Sequence, residues 1–122
     1  RAIAADSPVT DVERRAEDVL AGEGEELSAL DRWLLKTAYR VNFGEPLESV
    51  PLSRLKGDGK PLLLLAGTLD EQSPAYLAED IAQAAGGRAR VELIEGASHG
   101  MARYMDAQRY YAALLAFLKE EL

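Results

Sequence analysis

Apolar positions along this chain fall into two rhythms. Short unbroken runs of strand length alternate with stretches in which apolar side chains recur every three or four residues. The clearest run, Pro61-Leu62-Leu63-Leu64-Leu65-Ala66, is apolar at odd and even positions alike. That pattern predicts a central parallel strand covered by helices on both faces. Residues 89–94 form a second run, and residues 2–5 a third, ended by Asp6-Ser7-Pro8. The third reads as a buried strand entering a turn.

Helical spacing fills the intervals. Thr10 or Asp11 is placed to cap a helix reaching about Leu20, with Gly22 and Gly24 ending it. Residues 23–26 are acidic and read as a solvated loop. Ser28 and Asp31 make a capping box. The helix after it carries Leu30, Leu34 and Ala38 on one face, with Trp33 beside them, and is expected to fray at residues 42–44. Residues 45–60 hold Pro46, Pro51, Gly57 and Gly59, so they predict a connector with at most one helical turn. Ser73-Pro74 reads as an N-cap followed by proline at the first helical position. That helix should end at Gly86-Gly87. A final amphipathic helix over residues 106–122 places Tyr111, Leu114, Leu115 and Leu118 on its apolar face.

The predicted order is strand, helical insertion, strand, helix, strand, helix. Strands separated by helices imply parallel pairing, hence an α/β fold with three parallel strands and flanking helices. The first strand begins at the first residue, and an uncovered strand edge is a liability. The sheet is therefore expected to continue into polypeptide outside these 122 residues.

Composition changes this picture little. An apolar content of 48% with 29% charged residues fits a globular domain, and 122 residues are enough to bury a core. A net charge of −7 without a basic patch speaks against nucleic acid as a partner. No cysteine is present, which excludes a disulfide framework and cysteine zinc sites. No apolar run is long enough to span a bilayer. A cytoplasmic location is favoured, although cysteine usage does not fix the compartment.

Chemistry concentrates on two loops. Gly67-Thr68-Leu69-Asp70-Glu71-Gln72-Ser73-Pro74 follows the central run, and Glu95-Gly96-Ala97-Ser98-His99-Gly100 follows the next. Each places one acid/base residue just past the end of a predicted strand, the edge of an open parallel sheet where ligands bind. His99 is the single histidine. Imidazole titrates near neutrality, so it can take a proton from a hydroxyl nucleophile and return it to a leaving group. A carboxylate on its other nitrogen fixes the tautomer and stabilises the imidazolium. Neighbouring strands lie about 5 Å apart, so side chains on these loops can meet. The chain contains no G-x-S-x-G, and so no nucleophile elbow.

In this order and spacing the motifs resemble the C-terminal half of an α/β-hydrolase. Gly67, Asp70 and Pro74 match the family's G-x-x-D-x-x-x-P acid loop, and Gly96 and His99 its G-x-x-H loop, 29 residues further on. The resemblance covers residues 59–122 well and residues 2–8 in part. It implies a strand of the hydrolase core at residues 1–8, a helical lid and connector at 9–58, and the C-terminal core at 59–122. It implies Asp70 and His99 as triad acid and base of a serine hydrolase acting on esters, thioesters or amides through an acyl-enzyme. It calls for no cofactor and no metal. The serine would come from an N-terminal segment or companion chain, and the substrate would be a small acyl compound. An aspartate nucleophile, as in dehalogenases and epoxide hydrolases, is a variant of the same reading.

Other readings stand beside these. Asp6 is a rival acid, because some hydrolases carry theirs after the sixth strand; as a plain residue it terminates its strand. Glu71 neighbours Asp70 but fits the pattern less well. Ser98 is a loop serine. Trp33, Tyr39 and Phe43 read as core aromatics first and pocket lining second. Met101, Arg103 and Tyr104 form either a pocket rim or a solvated helix start. For the whole chain, the alternative is a stand-alone α/β module that binds a partner or ligand without catalysis.

Overall fold

The computed structural model describes residues 1–21, 26–48, 51–55 and 59–121. The predicted ends of the first helix at Gly22 and Gly24, most of the acidic loop, and Gly57 lie outside the described residues.

The chain divides into two compact units, residues 1–10 with 51–122 and residues 11–50. The first is an α/β unit. Its parallel sheet has the order β1 (Ile3–Asp6), β2 (Leu62–Gly67), β3 (Ala89–Ile94). Ile3 pairs with Leu62, Leu62 with Ala89 and Gly67 with Ile94, so all three strands leave the sheet at the same edge.

β2 is central and buried along its whole length. Its period of two sends alternate leucines to opposite faces. Leu62, Leu64 and Ala66 meet Ala78 and Ile81 of helix α3 (Ala75–Ala85). Leu63 and Leu65 meet Phe117 of the last helix, α5 (Ala107–Glu121). Burial of each leucine contributes about 1.5–3 kcal/mol, which makes this strand the anchor of the unit. A single 3-10 turn, Leu52–Leu55, packs beside α3.

Three expectations for this unit change. β1 is not a buried strand: Ile3, Ala4 and Asp6 are exposed. Among the described residues it pairs with β2 alone, so a strand at the rim lacks the double cover of β2. Ser73 is not the N-cap of α3. Pro74 takes that position with an extended backbone, and the Ser73 hydroxyl donates instead to the Pro8 carbonyl at 2.6 Å. In α5 the inward face is Tyr110, Ala113, Leu114 and Phe117, while Tyr111 and Leu115 are exposed. The predicted stripe is rotated by about one residue, because Phe117 takes the place over Leu63 and Leu65. Asp106 caps α5 by accepting from the Arg109 amide at 2.9 Å. Arg88 pairs with Glu121 at 2.7 Å, Arg90 with Glu120, and Arg109 with Glu92, so charges also fasten α5 along β3.

The second unit holds α1 (Val12–Ala21) and α2 (Ala29–Phe43). Asp11 caps α1 through the Arg14 amide at 3.1 Å. Ser28 caps α2 by accepting from the Asp31 amide at 3.2 Å, and its hydroxyl donates to the Asp31 carboxylate at 2.6 Å. The box is thus closed on the hydroxyl. α2 runs to Phe43 and is closed by the Gly44 amide on the Arg40 carbonyl. Trp33 and Phe43, expected in a core, are exposed; Tyr39 is half-buried and its ring meets Phe43 at 4.6 Å.

Candidate active site

The ends of β2 and β3 set the site. Gly67 is the last residue of β2, and its backbone lies against the histidine loop. A Cβ there would stand 2.1 Å from the Ala97 carbonyl oxygen, so only glycine lets the loops approach this closely. The loops are then zipped by backbone and hydroxyl bonds. The Thr68 amide donates to Ile94 at 3.1 Å, the Leu69 amide to Ala97 at 3.0 Å, and the Gly96 amide to the Thr68 hydroxyl at 2.8 Å. Gly96 and Gly100 flank the histidine with φ of 73° and 67°, the left-handed region that suits glycine.

Asp70 and His99 meet across this zipper. Nδ1 of His99 lies 3.0 Å from Oδ2 and 3.2 Å from Oδ1 of Asp70. The Asp70 side chain is fully buried, while that of His99 is 38% exposed. A buried carboxylate requires hydrogen-bond partners. Oδ1 has two more, the amides of Gln72 at 3.0 Å and Ser73 at 2.7 Å. The acid is thus fixed by its own loop before it touches the imidazole. An ionised carboxylate only accepts, so Nδ1 must donate. The basic nitrogen is then Nε2, available for proton transfer.

The other candidates separate. The carboxylate on the imidazole is that of Asp70, and Asp6 is engaged elsewhere: it accepts from the Ser7 hydroxyl at 3.1 Å and the Tyr110 hydroxyl at 3.2 Å. Burial, and then Asp6, push the Tyr110 phenol up, which keeps it a donor. Glu71 is exposed, and so is Ser98. Met101, Tyr104 and Met105 line a cavity of about 230 Å³ together with Gly96, Ala97 and Ser98. Arg103 is outside that lining. Its guanidinium lies over the Tyr104 ring at 4.6 Å and donates to the Tyr104 hydroxyl at 2.7 Å. Both earlier readings of this segment apply, since Ala102–Met105 is also a short helix, α4. Sequence reasoning passed over Thr68, Ser7 and Ser73 as partners. Their signal is slight: Ser7 belongs to a turn that ends a strand, Ser73 reads as a cap, and Thr68 carries no motif role of its own.

Among the described residues, no cluster of three or more His, Cys, Asp or Glu side chains is placed to hold a metal ion. Nor is any helix there long and apolar enough to cross a membrane.

Comparison with solved structures gives a relative in fold. A novel thermophilic esterase from the Planctomycetes species Thermogutta terrifontis matches with a TM-score of 0.62 and 22% identity. The match covers 94% of this chain and 39% of the esterase. No family model matches, and none of the curated proteins does. The likeness is therefore one of architecture: this chain shares its α/β fold with part of that esterase.

Proposed function

We propose that the chain is the C-terminal portion of a serine hydrolase of α/β-hydrolase type. His99 is its general base and acid, and Asp70 orients His99. The observation that carries this reading is the buried Asp70 carboxylate on Nδ1 of a part-exposed histidine, at the sheet edge where the strands end. The esterase fold and the order of the two loops support it. Nε2 takes the proton from a serine hydroxyl as its oxygen bonds to the acyl carbon. His99 then returns that proton to the departing alcohol, thiol or amine, and water later releases the acid.

The nucleophile lies in a segment or companion chain outside these 122 residues. Support comes from the lack of G-x-S-x-G in the sequence and from the 39% of the esterase that the chain spans. Residues 9–58 are the helical lid in this reading, and the substrate is a small ester, thioester or amide.

The test is ester hydrolysis by the assembled protein, with any co-purifying polypeptide identified by intact mass. His99→Ala should abolish turnover with the fold retained. Asp70→Asn should lower kcat by about 10⁴, as in a protease triad. Near-normal hydrolysis by either variant removes that residue from the mechanism. An assembled protein that binds acyl compounds but hydrolyses none is instead the non-catalytic binding module.

A further inference from the structure

The exit of β1 carries an outlier that the acid–base pair does not explain. Ser7 has φ of 50°, the single non-glycine residue with positive φ among those described. It is 8% exposed. A serine in the left-handed region is strained, and nothing in the backbone prevents glycine there, which would adopt it freely. Strain of this kind persists where the surroundings hold it, and such residues gather at functional sites. The question is what the hydroxyl does.

Along a strand, successive side chains point to opposite faces. The turn at Ser7 breaks that alternation. Its hydroxyl comes back beside Asp6 and donates to Oδ1 at 3.1 Å. The Ser7 hydroxyl oxygen in turn accepts from the Gly100 amide at 3.3 Å. Gly100 follows His99 directly, so this bond ties the far side of the histidine loop to β1. Thr68 ties the near side at Gly96. The Ser7 amide continues the ladder to the Leu65 carbonyl at 2.9 Å, which fixes the turn to β2. Behind it, Asp6 is held by Tyr110 of α5. The next residue, Pro8, accepts from the Ser73 hydroxyl, and the Ser73 amide holds Asp70. Two consecutive residues, Ser7 and Pro8, thus reach both loops of the pair.

We propose that Ser7 is a positioning residue. Its hydroxyl holds the His99 loop so that Nδ1 stays on Asp70. The proposal rests on the acid–base reading of that pair. It adds a residue that touches neither acid nor imidazole and acts through the Gly100 backbone.

The single histidine makes the test clean. In the full 122-residue chain, proton NMR should show one imidazole Nδ1 proton, and its exchange with water reports the bond to Asp70. Exchange of the Gly100 amide reports the bond to Ser7. Two variants separate hydroxyl from backbone: Ser7→Ala removes the hydroxyl and keeps the strain, and Ser7→Gly removes both. Each should accelerate exchange of the Gly100 amide and of the Nδ1 proton by about tenfold or more. The effect on Nδ1 should be the same in both, although Ser7→Gly is the more stable protein. Should Ser7→Ala fail to fold, Ser7→Gly carries the test alone. Wild-type exchange at Nδ1 in Ser7→Gly, with Asp70→Asn abolishing the protected proton, overturns the positioning role and leaves the pair standing. A protected Nδ1 proton that survives Asp70→Asn overturns both readings.

Discussion

Strand β2 and helix α2 are both rich in apolar side chains, yet only one buries them. Leu64 is 1% exposed, held between α3 and its neighbouring strands. Leu34 is 49% exposed and Trp33 61%. Neither α1 nor α2 has a fully buried residue. The helical unit instead has well-made ends, Asp11 and Ser28 as caps, and ion pairs joining the two helices. Arg32 lies 3.1 Å from Glu17, and Lys36 pairs with Glu13. The difference teaches that hydrophobic periodicity announces a face but not its cover. The α/β unit rests on packing, and the helical unit on local helix chemistry and exposed charge.

Truncating one leucine on each side tests this most strongly. Leu64→Ala should cost about 2–5 kcal/mol, because a cavity opens where β2 meets α3. Leu34→Ala should stay within about 0.5 kcal/mol, as expected for a surface position. Paired denaturant titrations read both. Equal losses would mean that α2 is packed as tightly as β2, and the comparison would collapse.

The next effect belongs to the α/β unit alone. Gly67→Ala forces a Cβ to 2.1 Å from the Ala97 carbonyl, a backbone atom that no rotamer change can move. A loss of about 1–3 kcal/mol is expected from such overpacking. It should come with a changed Asp70–His99 contact, visible at the imidazole Nδ1 proton. A variant with wild-type stability would show that the two loops tolerate separation.

These two positions also mark how far the sequence could be read. β2 was legible because four leucines bounded by Pro61 and Gly67 admit little else. The pairing of Asp70 with His99 was legible because two strand-exit loops on one sheet edge must be neighbours. The phase of α5 was not. Tyr111 and Leu115 are as apolar as Tyr110 and Leu114, and only the position of the sheet decides which pair turns inward. β1 misled for a related reason: an apolar run does not say whether it is central or at the rim. Ser7 and Ser73 were hardest. A hydroxyl has no periodic signal, and its partners, Gly100 and Pro8, lie 93 and 65 residues away.

The helical unit yields smaller effects. Ser28→Ala removes both bonds of the α2 cap. It should cost about 1 kcal/mol of helix stability. Loss of helix content should be confined to the first turn of α2, as read from amide exchange at residues 29–32. Unchanged exchange there would mean that the cap is dispensable and that something other than helix chemistry holds this unit.

The smallest effect expected is that of the Lys36–Glu13 pair. The hydrogen bond to Glu13, aided by its charge, raises the Lys36 ammonium above the ordinary lysine value. A raised value in the folded state means that the folded protein holds this proton more tightly than the unfolded chain. The pair's contribution is then fully present below the ordinary lysine value and is lost as pH rises through the raised one. Both partners are solvated, so the contribution is small at any pH and screened by salt. Lys36→Ala should therefore shift the unfolding midpoint slightly at low ionic strength and neutral pH. The shift should vanish in about 1 M salt, where the Debye length is about 3 Å. Leu64→Ala should keep its full effect there, since burial of apolar surface is not screened. A Lys36→Ala effect that survives high salt would show that the lysine stem is packed rather than merely paired. The helical unit would then resemble the sheet unit more than its exposed leucines suggest.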